Sequence, residues 1–68
     1  SMEKEVIKFS QKLRENRLKK KLSQNNIARV LGIHRSYISE LERRVRNLSL
    51  LTIQKVAKAI NINVKDLI

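Results

Sequence analysis

Apolar positions recur along the chain at helical spacing, and no alternating apolar–polar run is sustained. Val6, Phe9 and Leu13 fall at i, i+3 and i+7 and predict an amphipathic first helix from about Glu3 to Lys20. Ser23 is a natural N-cap for a short second helix over about Gln24 to Leu31, with Ile27, Ala28 and Leu31 on one face. Gly32 follows where a helix C-terminus wants a residue of positive φ. A third helix is predicted from about Arg35 to Arg43, with Ile38 and Leu41 turned inward and His34 as its cap. Ser49 caps a fourth helix whose Ile53, Val56, Ala57 and Ile60 match i, i+3, i+4, i+7. Asn63 and Asp66 suggest a short fifth helix, with Asp66 standing in for the Glu of a capping box. With no proline and a single glycine, the chain has little material for hairpins or a Gly-rich phosphate loop. Ser1 ahead of Met2 reads as a residue left by tag cleavage.

Two charged residues interrupt the inward pattern. Arg17 lies four residues after Leu13 on the apolar stripe of the first helix, and Glu42 lies four after Ile38 on the inward face of the third. A lone charge at either place would be costly, so Arg17 and Glu42 are expected to pair across the contact between these helices. The unit from Gln24 to Arg43 has small Ala28 where a neighbouring helix must approach and Gly32 four residues on. Ile27, Leu31, Ile33, Ile38 and Leu41 form the wedge between its two helices. This arrangement projects a second helix away from its scaffold, as a helix-turn-helix does.

Composition sharpens the picture. The 68 residues bound one domain, 2–68, and the absence of cysteine excludes disulfides and cysteine-based metal sites. One histidine makes a zinc site implausible, and no metal or other cofactor is expected. Apolar runs such as Leu50-Leu51 are far too short to cross a membrane. Sixteen Lys and Arg against six Asp and Glu give a net charge of +10, which favours a polyanionic partner. The charge is uneven. Lys12, Arg14, Arg17, Lys19, Lys20 and Lys21 crowd one stretch, Arg35, Arg43, Arg44 and Arg46 another, and beyond Asn47 only Lys55, Lys58 and Lys65 remain.

The stretch SQNNIARVLGIHRSYISELERRVRNLSLLTIQKVAKAI, with RENRLKKKL upstream, resembles the phage-repressor/Cro-like (xenobiotic-response-element type) helix-turn-helix family. Within that family RSYISELERRVRNLS looks most like the controller proteins of restriction–modification systems, chiefly at Arg35, Tyr37-Ile38-Ser39 and Arg46-Asn47. The resemblance implies an all-α, compact five-helix bundle, a lambda-repressor-like DNA-binding domain with its helix-turn-helix in helices 2 and 3. It further implies a dimer that binds operators upstream of its own gene and the endonuclease gene. Two positions depart from the family: Asn26 stands where an acidic residue or Gln is usual, which should weaken the capping box of the second helix, and Lys21 stands where Gly is usual.

On such a domain the start of the third helix reaches the bases, so Arg35 and Ser36 lead. Arg35 can fork onto guanine O6 and N7, whereas Ser36 can serve several bases. By resemblance Tyr37 sits against the DNA at a deformable step; it reads equally as a half-buried aromatic shielding the core. Arg46 reaches bases by resemblance, or is one more phosphate contact. Gln24, Ser39, Arg43, Arg44 and Asn47 are phosphate candidates, Gln24 because it opens the second helix. Glu40 can accept from cytosine N4 or, the preferred reading, pair with Arg43 or Arg44. Lys12 and Lys19 to Lys21 add long-range attraction.

One short helix reads too few base pairs for useful specificity, so a homodimer on a palindromic double-stranded operator is expected. The less basic region 48–68 supplies Leu48, Leu50, Leu51, Ile62, Val64, Leu67 and Ile68, more apolar surface than so small a core absorbs. Catalysis is disfavoured by the lack of cysteine, of paired carboxylates and of a phosphate loop, and no small-molecule ligand is implied. Two aromatics are too few for a single-strand or RNA binder. Location in the cytoplasm of a bacterial or phage-bearing cell, on the nucleoid, follows from this reading. An antitoxin-type autorepressor of the same fold, or the DNA-binding domain of a longer repressor, stays open as an alternative.

Overall fold

The computed structural model describes residues 2–44 and 49–68. Four α-helices follow one another: α1 (Met2–Lys19), α2 (Gln24–Leu31), α3 (Arg35–Glu42) and α4 (Leu50–Ala59). A 3₁₀ turn over Val64–Asp66 closes the chain, and no strand occurs among the described residues. The fold is all-α as expected, with one correction. The fifth element is not an α-helix, because the Asn63 side chain makes no cap hydrogen bond and only three residues follow before Leu67 turns inward.

The starts of α2 and α4 are held by side chains. At α2, Ser23 Oγ accepts from the Asn26 backbone N–H (3.0 Å) while Asn26 Oδ1 accepts from the Ser23 N–H (2.8 Å). Asn26 therefore completes the capping box that it was expected to weaken, its amide oxygen replacing the usual carboxylate. Ser49 Oγ accepts from the Thr52 N–H at the start of α4 (3.1 Å). His34 occupies the N-cap position of α3, as expected, with extended backbone and without a side-chain cap bond.

Three helix ends share one solution. Lys21, Gly32 and Asn61 take positive φ (57°, 69° and 57°) just after α1, α2 and α4. The next residue then bonds five positions back: Leu22 to Arg17 O, Ile33 to Ala28 O and Ile62 to Ala57 O, each at 3.0 Å. This motif returns orphan carbonyls to a donor and lays an apolar residue beside the helix end. Lys21 thus carries the left-handed conformation for which the family uses Gly.

The core gathers Phe9 and Leu13 from α1, Ile27 and Ala28 from α2, Ile38 and Leu41 from α3, and Ile53, Val56, Ala57 and Ile60 from α4. Helix α2 packs against both α3 and α4, and α1 against α3. Leu67 is wholly buried in the same cluster, so it belongs to the intramolecular core and not to a dimer surface. Burying such a side chain contributes about 1.5–3 kcal/mol, which ties the last turn down. Ile33, assigned to the wedge, is 39% exposed because the chain reverses there, and Leu31 is half-buried. No described helix is long and apolar enough to cross a membrane.

Candidate nucleic-acid interface

Helix α3 is oriented by its two buried residues. Ile38 and Leu41 are fixed in the core, which turns the opposite side of the helix outward. Arg35 and Ser36 are exposed at its N-terminus, Ser39 and Glu40 half-buried in its middle, and Arg43 and Arg44 exposed at its end. Arg44 takes a positive φ of 67°, so the chain turns away from the helix axis immediately after Arg43. Tyr37 is half-buried and packs against the core cluster, as the shielding reading expects. Arg46, Asn47 and Leu48 lie outside the described residues.

Beneath this surface sits the Arg17–Glu42 pair. Arg17 Nε donates to Glu42 Oε2 (2.7 Å) and Nη2 to Oε1 (3.0 Å), while Nη1 donates to the Leu22 carbonyl (3.0 Å). Side-chain exposures are 11% and 5%. A two-pronged bond of this kind holds geometry as well as charge, and it locks α1 to the end of α3.

Gln24, expected only as a phosphate contact, has further partners. Its Nε2 donates to Glu42 Oε1 (3.2 Å), and its Oε1 accepts from Arg35 Nη1 (3.0 Å). A connected chain of hydrogen bonds therefore runs from the buried pair to the first residue of α3. Sequence spacing carries no sign of it, since Gln24 is brought to Arg35 and Glu42 only when α2 folds back on α3.

Of the residues assigned to a dimer surface, Leu50 and Leu51 are 63% and 59% exposed, and Ile68 is 54% exposed. Ile62 and Val64 are half-buried against the core. Leu50 and Ile68 border an open groove of about 730 Å³ between α1 and α4, with Ile7 and Ile53 in its wall. No cluster of His, Cys, Asp or Glu able to hold a metal occurs among the described residues.

Residues 13–67 match the family model described as helix-turn-helix. The chain is 46% identical over 61 residues to the control protein C.BamHI of Bacillus amyloliquefaciens, spanning 88% of this chain and 75% of that one. It superposes on the restriction-modification controller protein C.AhdI from Aeromonas hydrophila with a TM-score of 0.84 and 44% identity, covering 93% and 96% of the two chains. A third similarity is to the controller protein C.Esp1396I, solved as a tetramer in complex with its natural 35 base-pair operator. There the TM-score is 0.81 with 29% identity, over 87% of this chain and 78% of that one.

Proposed function

The chain belongs to the helix-turn-helix family and, within it, to the controller proteins of restriction–modification systems, and on that premise we propose that it is a sequence-specific regulator binding double-stranded operator DNA. The operators lie upstream of its own gene and of the endonuclease gene, as the family relationship implies. The observation that carries this reading is the outward face of α3, where Arg35 and Ser36 stand exposed on a helix anchored by Ile38 and Leu41. In this reading α3 enters a major groove about 12 Å wide, and Arg35, Ser36, Tyr37 and Arg46 contact bases. Gln24, Ser39, Arg43, Arg44 and Asn47 contact phosphates and set the register.

The whole chain, 2–68, acts as one domain whose 24–43 unit reads DNA and whose 48–68 region pairs with a second copy. Leu50, Leu51 and Ile68 supply the exposed apolar surface for that pairing, and Leu48, Ile62 and Val64 are assigned to it as well. Two copies related by a two-fold axis match a palindromic site. The protein works in the cytoplasm on the nucleoid, with no catalytic role, cofactor or small-molecule ligand.

Footprinting on DNA just upstream of its own gene tests this. A protected palindrome at nanomolar protein, lost in Arg35→Ala, is the expected result. Equal affinity for a random duplex would overturn sequence-specific regulation.

A further inference from the structure

We propose that His34 is a phosphate contact switched by protonation, so that acidification tightens the protein's hold on DNA. This deepens the operator-binding reading and rests on α3 being the helix that meets the duplex.

His34 is the single histidine of a chain without cysteine. Histidine is the side chain whose ordinary change of charge falls between about pH 5 and 8. The structure places it at the N-cap of α3, directly before Arg35, with its side chain exposed. Ser23 and Ser49 at the two other caps each accept from the backbone N–H three residues on. The His34 ring makes no such bond, and only its backbone carbonyl serves the helix, accepting from the Tyr37 N–H (3.1 Å). The imidazole is therefore left for another partner.

The surroundings say which partner suits it. The ring borders a notch between α2 and α3, shared with Asn25 and Arg29 from α2, Gly32 and Ile33 from the turn, and Arg35 from α3. Arg29 and Arg35 are exposed, and no carboxylate lines the notch. In the free protein a proton on His34 adds a third cation to two and meets no counter-charge there. A DNA phosphate supplies one. His34 stands one residue before Arg35, which in the operator-binding reading enters the groove, and the edge of the groove is phosphate.

Neutral imidazole has one N–H to give, whereas imidazolium has two and carries a unit charge, which makes its bond to a phosphate oxygen the stronger. DNA thus favours the protonated ring, and by reciprocity the protonated ring favours DNA. Affinity rises as pH falls, and binding takes up protons.

The test compares wild type with His34→Asn, which keeps a favoured N-cap residue and removes the titration. His34→Gln serves as a second neutral variant. Each is titrated by fluorescence anisotropy against the footprinted operator duplex near pH 6 and near pH 8, across the histidine range, over a series of salt concentrations. Circular dichroism verifies folding at both pH values. The chain amino group and the carboxylates are retained in both variants, so the difference from wild type belongs to His34.

One solvent-exposed charge pair changes affinity by about two- to threefold, so a dimer with two copies should bind about four- to tenfold more tightly near pH 6 than near pH 8. The slope of log K against log salt should steepen at the lower pH by up to about two, one phosphate for each His34. Both effects should vanish in His34→Asn and His34→Gln. Equal pH ratios in wild type and the neutral variants overturn the proposal, as does a wild-type affinity that falls on acidification. A pH effect lost in the variants but with no steepening in wild type overturns the phosphate contact. If footprinting finds no protected operator, the premise fails and the proposal falls with it, an outcome distinct from these.

Discussion

Replacing Arg17 by Met tests whether the α1–α3 brace acts as a buried ion pair or as a solvated one. The change removes both prongs to Glu42 and the bond to the Leu22 carbonyl, and it leaves a carboxylate only 5% exposed, with the Gln24 amide still donating to it. Stranding one member of a buried pair costs about 3–5 kcal/mol. A chain of 68 residues has a total stability of about 3–10 kcal/mol, so the variant sits near or below the threshold of folding. At roughly 4–8 °C per kcal/mol for a domain of this size, the midpoint should fall by at least about 12 °C. The partner variant Arg17→Met/Glu42→Leu removes both charges. It should recover most of that loss and cost only about 1–2 kcal/mol, because the bonds to the Leu22 carbonyl and to Gln24 are still gone. Urea titration followed by circular dichroism at one fixed protein concentration measures both, the concentration being held because any self-association would feed into apparent stability. A loss below about 1 kcal/mol in Arg17→Met would refute the reasoning, since that is the scale of an exposed pair screened by water.

Three further variants test backbone strain and self-association. Lys21→Gly should stabilise the protein by about 1 kcal/mol, since the αL position after α1 penalises any residue with a Cβ, while Gly32→Ala should destabilise by a similar amount, with φ of 69° and no atom within 4 Å to add a clash; thermal melts that order these variants otherwise would show the strain lies elsewhere. Leu51→Asp, at a position 59% exposed, should leave the monomer fold intact and weaken self-association, read by sedimentation velocity, and a dimer unchanged in that variant would move the interface away from the start of α4.

Much of the fold was legible because local rules and the tertiary answer agree. The Ile53, Val56, Ala57 and Ile60 stripe, the Ser23 and Ser49 caps and the Gly32 turn need only neighbours within one or two helical turns, and each occurs where the spacing puts it. The Arg17–Glu42 pair was also inferable, because two charges on apolar stripes have one economical resolution. The misreadings arise where short-range signals are weak. Asn26 closes a capping box with an amide, the fifth element winds as a 3₁₀ turn, and Ile33 is exposed where the chain reverses.

What the residues decide along the chain is which helices form, where they stop and which face of each is apolar, since propensity, capping and period act over a few positions. What they leave undecided is the destination of the surplus apolar groups and of the polar groups between helices. Leu67 and Ile68 are adjacent and chemically alike, yet the 3₁₀ turn buries the first and exposes the second. Gln24 became a bridge between Glu42 and Arg35 only through the folding of α2 onto α3. Both outcomes are set by distances between residues far apart in sequence, and no local pattern encodes those distances.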